Sequence, residues 1–154
     1  MSEPIFDLTY IWAAIIAFGV IMYVLMDGFD LGQGILFMFA PSEHDRDIMM
    51  NSIAPVWDGN ETWLVLGGAG LLAAFPLVYS IFLPALYIGV FLLLAGLIFR
   101  GVAFEFRFKA HSSRYLWNWS FAIGSTVAAF AQGAVVGAYI QGFETENMRY
   151  VGGA

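Results

Sequence analysis

The chain has 154 residues, of which 60% are hydrophobic and only 12% charged, with a formal net charge of −6. A soluble globular chain carries roughly 25% charged residues, so this composition excludes a water-soluble domain and points to a membrane protein. The six basic residues form no polybasic surface, which argues against a nucleic-acid partner, and the absence of cysteine excludes disulfides and thiolate metal sites.

From Leu8 to Met26 the sequence is uncharged, flanked by Asp7 and Asp27, and long enough to cross a hydrocarbon core of roughly 30 Å. The apolar stretch from Gly28 to Ala40 extends this element, giving a first helix over about 8–38. The N-terminus has no basic segment ahead of its apolar run, so it reads as a retained helix rather than a cleaved signal. Polar residues from Ser42 to Asp47 predict a short loop.

The next uncharged run, Thr62 to Phe99, is too long for one crossing and divides at Pro76. Its first part becomes long enough only if the helix starts earlier, with Asn51 or Ser52 as cap and Pro55 in the first turn. Helices are therefore predicted over about 53–75 and 77–104, and Asp58 and Glu61 fall in the first turns of the former. A fourth helix, over about 115–142, follows the basic segment that holds Arg100, Arg107, Lys109 and Arg114. The tail from Glu144 onward is polar. The fold class is all-α, a polytopic bundle of about four transmembrane helices in one membrane domain.

The basic residues set the expected orientation. Arg46 and the Arg100–Arg114 group belong on the cytoplasmic side and both termini outside, with only Arg149 opposing. Trp117 and Trp119 then lie at the cytoplasmic interface and Trp12 at the outer one. Small residues at helical spacing, Ser125, Ala129, Gly133 and Gly137 in the last helix and Gly28 with Gly32 in the first, mark expected helix-packing faces.

Chemistry has few candidates. Asp27 and Asp30 share a face by their i, i+3 spacing, and Asp58 and Glu61 repeat that spacing. They are either solvated headgroup acids or part of a proton path, since membrane acids usually face a bundle interior or a watery cavity. Arg100, between apolar neighbours, either snorkels or pairs with Asp58 or Asp30. His44 and His111 fall in loops, where neither can ligate a haem in the membrane core, and Met22 and Met26 read as packing residues. Metal-ligand spacing, a phosphate-binding glycine loop and a nucleophile–base pair are all missing, so the chain alone is expected to be neither catalytic nor metal-binding.

The acid-bearing segments carry a resemblance. Asp27-Gly28-Phe29-Asp30-Leu31-Gly32, the run from Asn51 through Pro55, Trp57 and Asp58 to Asn60, then Glu61 and Trp63, and Phe99-Arg100 with Phe104-Glu105-Phe106-Arg107 resemble subunit II of cytochrome bd-type quinol oxidases. The stretch from Val24 to Gly32 looks most like the cyanide-insensitive branch.

The resemblance implies a complex in the bacterial cytoplasmic membrane that oxidises ubiquinol or menaquinol, reduces dioxygen to water and generates a proton gradient. It implies that haems b and d and the quinol-oxidising loop belong to a partner subunit I. It also implies that this chain packs against that subunit and helps protons reach the haems. Asp30, Asp58 and Arg100 would carry that path, with Trp57 and Trp63 in support and Asp27 and Glu61 as lesser members. Members of the family have eight helices in two similar halves, so the chain is expected to correspond to the first half, as a partial or split subunit. Two other classes compete, half of a membrane carrier and a purely structural scaffold. The stretches expected at mid-membrane carry only Gln132, whereas carriers place polar residues there.

Overall fold

The computed structural model describes residues 7–142, 144–146 and 149–151. The residues before Asp7, the last three of the tail and the side chain of Arg149 lie outside the described residues. Six α-helices are described: α1 (Leu8–Leu36), α2 (Glu43–Ile53), α3 (Trp57–Ala74), α4 (Pro76–Ala85), α5 (Tyr87–Phe106) and α6 (Arg114–Gln141). A single 3-10 turn, Phe37–Phe39, prolongs α1, and the two-residue strands β1 (Thr145–Glu146) and β2 (Arg149–Tyr150) pair antiparallel after α6. The architecture is an all-α membrane bundle.

Among the described residues, three segments are long and apolar enough to cross a membrane: Leu8–Phe39, Tyr87–Phe106 and Arg114–Gln141. At 18 residues α3 reaches about 27 Å. Its first turns, however, carry Asp58, Asn60, Glu61 and Thr62, which dilute its apolar character. Asp7 caps α1 by accepting from the Thr9 N–H at 2.8 Å, and that bond holds the Asp7 carboxyl below its ordinary pKa.

The structure departs from the sequence reading at three places. The segment read as a loop from Ser42 to Asp47 is the start of α2, capped by Ser42, whose hydroxyl accepts from the Asp45 N–H at 3.1 Å. Acidic residues in that first turn suit the positive end of the helix dipole. Asn51 and Ser52 consequently lie inside α2 and cap nothing; a turn at residues 54–56 separates it from α3, which begins at Trp57 rather than 53. The helix expected over 77–104 is two, broken at Leu86. Pro84 removes one intrahelical donor and crowds the preceding turn, which accounts for the break. Phe75, held out of the helical region before Pro76 (φ −133°, ψ 60°), ends α3, and the proline opens α4 at its first position.

The helices assemble through glycine contacts. α5 and α6 cross so closely that a Cβ on Gly96 would lie 2.7 Å from the Gly124 carbonyl oxygen, and one on Gly124 would lie 2.6 Å from that of Gly96. Gly34 of α1 leaves room for the Ser125 side chain of α6. Gly19, Gly67 and Gly70 face Leu66, Val20 and Ile16 along the α1–α3 seam. By contrast, Gly28, Gly32, Gly133 and Gly137 have no atom within 4 Å of a Cβ position. Of the expected packing residues, only Ser125 is fully buried, with Ala129 half-buried against a cluster of Leu31, Leu93, Leu97, Ala128 and Ala131. A second apolar cluster, Phe37, Met50, Ile53, Ala103, Phe104 and Phe121, seals the end of the bundle where α2 packs.

Candidate functional site

Beside these clusters α1, α3 and α5 bring together a buried ionic centre. Asp27 and Asp30 sit within α1 rather than at its end, and with Arg100 they are 0% exposed. The Arg100 guanidinium, from α5, donates through Nη1 to Asp27 Oδ1 at 2.9 Å and to Glu61 Oε2 of α3 at 3.4 Å. Its Nη2 lies 3.6 Å from Asp30 Oδ2. Asn60 Nδ2 donates to that same Asp30 oxygen at 2.9 Å. Trp57 presents its ring to the guanidinium at 5.9 Å and stacks on Phe104 at 4.7 Å. Three carboxylates therefore share one guanidinium, and Glu61 alone reaches the surface, its side chain 26% exposed.

Several expected residues thus converge, and of the two partners expected for Arg100 the structure supplies Asp30 and not Asp58. Arg100 pairs with Asp27, Asp30 and Glu61; it neither snorkels nor meets Asp58. Asp58 is exposed on the opposite side of α3, where its backbone carbonyl accepts from the Thr62 hydroxyl at 2.8 Å. Trp63 stands apart from the centre, edge-on to Phe18 with ring centroids 5.9 Å apart. Asn60 was not singled out in the sequence, although an amide beside Glu61 in a membrane-facing segment is itself a polar signal. Tyr23, one helical turn before Asp27, was also missed; it is buried, with its hydroxyl beside the Asp27 carboxylate.

A second ionic centre, unanticipated in the sequence, fastens α2 to the α5–α6 junction. Arg107 is fully buried and donates to Asn118 Oδ1 at 2.5 Å, Asp47 Oδ1 at 2.5 Å and Glu43 Oε2 at 3.1 Å. Its guanidinium lies over the Phe37 and Phe108 rings at 5.2 and 5.3 Å. Arg114 also bonds Asp47, and Asn118 Nδ2 donates to Glu43 Oε1 at 3.0 Å. Burial opposes the charges on Glu43 and Asp47. Hydrogen bonds and the fields of Arg46, Arg107 and Arg114 around Glu43, and of Arg107 and Arg114 around Asp47, outweigh it and hold both carboxyls below their ordinary values. The signal available in the sequence was Arg107 itself, set between Phe106 and Phe108 where a solvated arginine has no reason to be.

His44, in the first turn of α2, and His111, in the turn before α6, are both exposed. Neither is placed to ligate a haem inside the bundle, and among the described residues no group of acids and histidines has metal-binding geometry.

Residues 8–154 match the family described as Cytochrome bd terminal oxidase subunit II. The cytochrome bd-I ubiquinol oxidase subunit 2 of Escherichia coli (strain K12) is 40% identical over 138 residues, covering 88% of this chain and 36% of that protein. The probable cytochrome oxidase subunit 2 of Haemophilus influenzae is 37% identical over 88% of this chain and 36% of its own length. The cytochrome bd ubiquinol oxidase subunit 2 of Bacillus subtilis is 36% identical over 84% and 38% respectively. The chain thus spans little more than a third of the relatives it matches. With the acid-bearing segments inside the matched range, the chain belongs to the cytochrome bd terminal oxidase subunit II family.

Proposed function

We propose that the chain forms the first, haem-free part of subunit II in a cytochrome bd-type respiratory oxidase of a bacterial cytoplasmic membrane. In this reading it packs against a haem-bearing subunit I in a complex that passes electrons from quinol to dioxygen. Its Asp27–Asp30–Glu61–Arg100 centre gives protons access from the cytoplasmic side. Family membership and the placement of both histidines outside the bundle support the assignment of the haems to the partner. The apolar outer face of α1, with Ile21, Val24, Leu25 and Phe29 exposed, supports a neighbouring membrane chain or lipid there.

The observation that carries the proton reading is the imbalance of charge. One guanidinium balances the charge of one carboxylate, so a centre of three acids is neutral only when the others hold protons, which supplies exchangeable protons inside the bundle. Glu61 joins the buried pair to the surface, with the exposed Asp58 standing outside it as an outer acid. Arg46 in α2 and Arg107, Lys109 and Arg114 around the α5–α6 junction support a cytoplasmic location for this end, with the N-terminus outside.

Asp27→Asn and Asp30→Asn in the complete oxidase test this. Oxygen consumption at saturating quinol should fall several-fold while haem absorbance stays intact. Full turnover in both variants would leave the centre a purely structural element.

A further inference from the structure

Five polar atoms around Arg100 are buried outside any well-formed hydrogen bond: Tyr23 Oη, which lies beside Asp27, Asp27 Oδ2, Asp30 Oδ1, Arg100 Nε, and Arg100 Nη2, which keeps only its 3.6 Å ion pair with Asp30 Oδ2. Their residues are among the least accessible in the chain, Tyr23 at 5% and the other three at 0%. Leaving even one such atom unsatisfied costs about 1–3 kcal/mol, and native interiors meet such deficits with ordered water.

The mixture of atoms selects the occupant. The carboxylate oxygens only accept, the guanidinium nitrogens only donate, and the tyrosine hydroxyl does both. A metal cation would answer the carboxylates but would lie against a like charge and leave the guanidinium N–H groups unmet. An anion would answer the guanidinium and face two carboxylates. Water donates and accepts at once, and a buried water needs two to four polar partners, which this set supplies.

We propose that Tyr23, Asp27, Asp30 and Arg100 enclose a buried water site, with the Tyr23 hydroxyl as its inner wall. Tyr23 precedes Asp27 by four residues on α1, so the two stack on one face about 6 Å apart along the axis. The site therefore extends the ionic centre one turn further from the helix end than the charged residues reach. Tyr23 is a positioning residue: it holds water against Asp27 Oδ2, the oxygen that Arg100 leaves free. The site stands on these buried atoms alone; its use in proton access rests on the function proposed above.

Two measurements on the detergent-extracted native assembly test it. In radiolytic hydroxyl-radical labelling, bound water delivers radicals to buried neighbours. Corrected for intrinsic reactivity, Tyr23 should be modified at a rate near that of the exposed Phe108. A rate as low as that of the fully buried Phe121 overturns the water site. Tyr23→Phe, which keeps the ring and removes only the hydroxyl, should lower kcat for oxygen consumption several-fold. The KM for quinol and the haem absorbance should not change. Full kcat in Tyr23→Phe beside a slow Asp27→Asn overturns the positioning role and leaves the proton reading intact. Full kcat in both variants overturns the proton reading and the positioning role together.

Discussion

Replacing Arg100 with methionine keeps an unbranched side chain of similar length and removes the one cation from the buried centre. At an effective dielectric of about 20, its contact with Asp27 at 2.9 Å contributes about 6 kcal/mol of attraction, and that with Glu61 at 3.4 Å about 5 kcal/mol. Most of this is offset by the cost of stripping water from the charges. What remains on breaking a buried pair is about 3–5 kcal/mol, because the carboxylates are left without a counter-charge. Arg100→Met should therefore lower the thermal midpoint of the detergent-solubilised assembly by on the order of 10 °C. Adding Asp27→Asn and Asp30→Asn to the same chain removes the two fully buried stranded charges, leaving only the partly exposed Glu61, and should recover much of that loss. Measured by fluorescence-detected size exclusion after heating, a single variant within about 2 °C of the parent would refute the argument. So would a triple variant less stable than the single.

Other outcomes follow from the same geometry. Gly124→Ala should destabilise the bundle, because its Cβ would meet the Gly96 carbonyl at 2.6 Å. Gly133→Ala, with nothing within 4 Å, should be neutral or stabilise by about 0.5–1 kcal/mol, and heat-stability assays separate the two. The second ionic centre should loosen only in acid. Glu43 and Asp47 have folded pKa values below their ordinary 4.5 and 3.8, so their stabilisation is complete above those values and is lost as pH falls through the folded ones. Protease cutting in α2 should therefore be flat from neutral pH to about 5 and rise below 4. Trp57→Leu should cost about 0.5–1.5 kcal/mol beyond lost area, through its stack on Phe104, and this reads out in the same heating assay.

The long helices were legible because charge is rarely tolerated inside them: Asp7 caps α1, and Arg114 opens α6. α2 was not, because a polar run reads as a loop unless its cap is recognised; Ser42 with Asp45 three residues on was that cap. The partners within the ionic centre depended on helix phase, which spacing alone does not reveal. On α3 the inward face is set by Asn60, Gly67 and Gly70. Asp58 precedes Asn60 by two residues, or about 200° of rotation, and so points away; Glu61, about 100° beyond it, lies at the flank and reaches Arg100. The same arithmetic explains the small residues of α6. A four-residue repeat drifts about 40° per step against a helix of 3.6 residues per turn. The series from Ser125 through Ala129 and Gly133 to Gly137 therefore winds about 120° off the buried face, while Phe121, Gly124, Ser125 and Ala128, at mixed three- and four-residue spacing, stay on it. Pattern located the acids, and phase decided which of them the arginine holds.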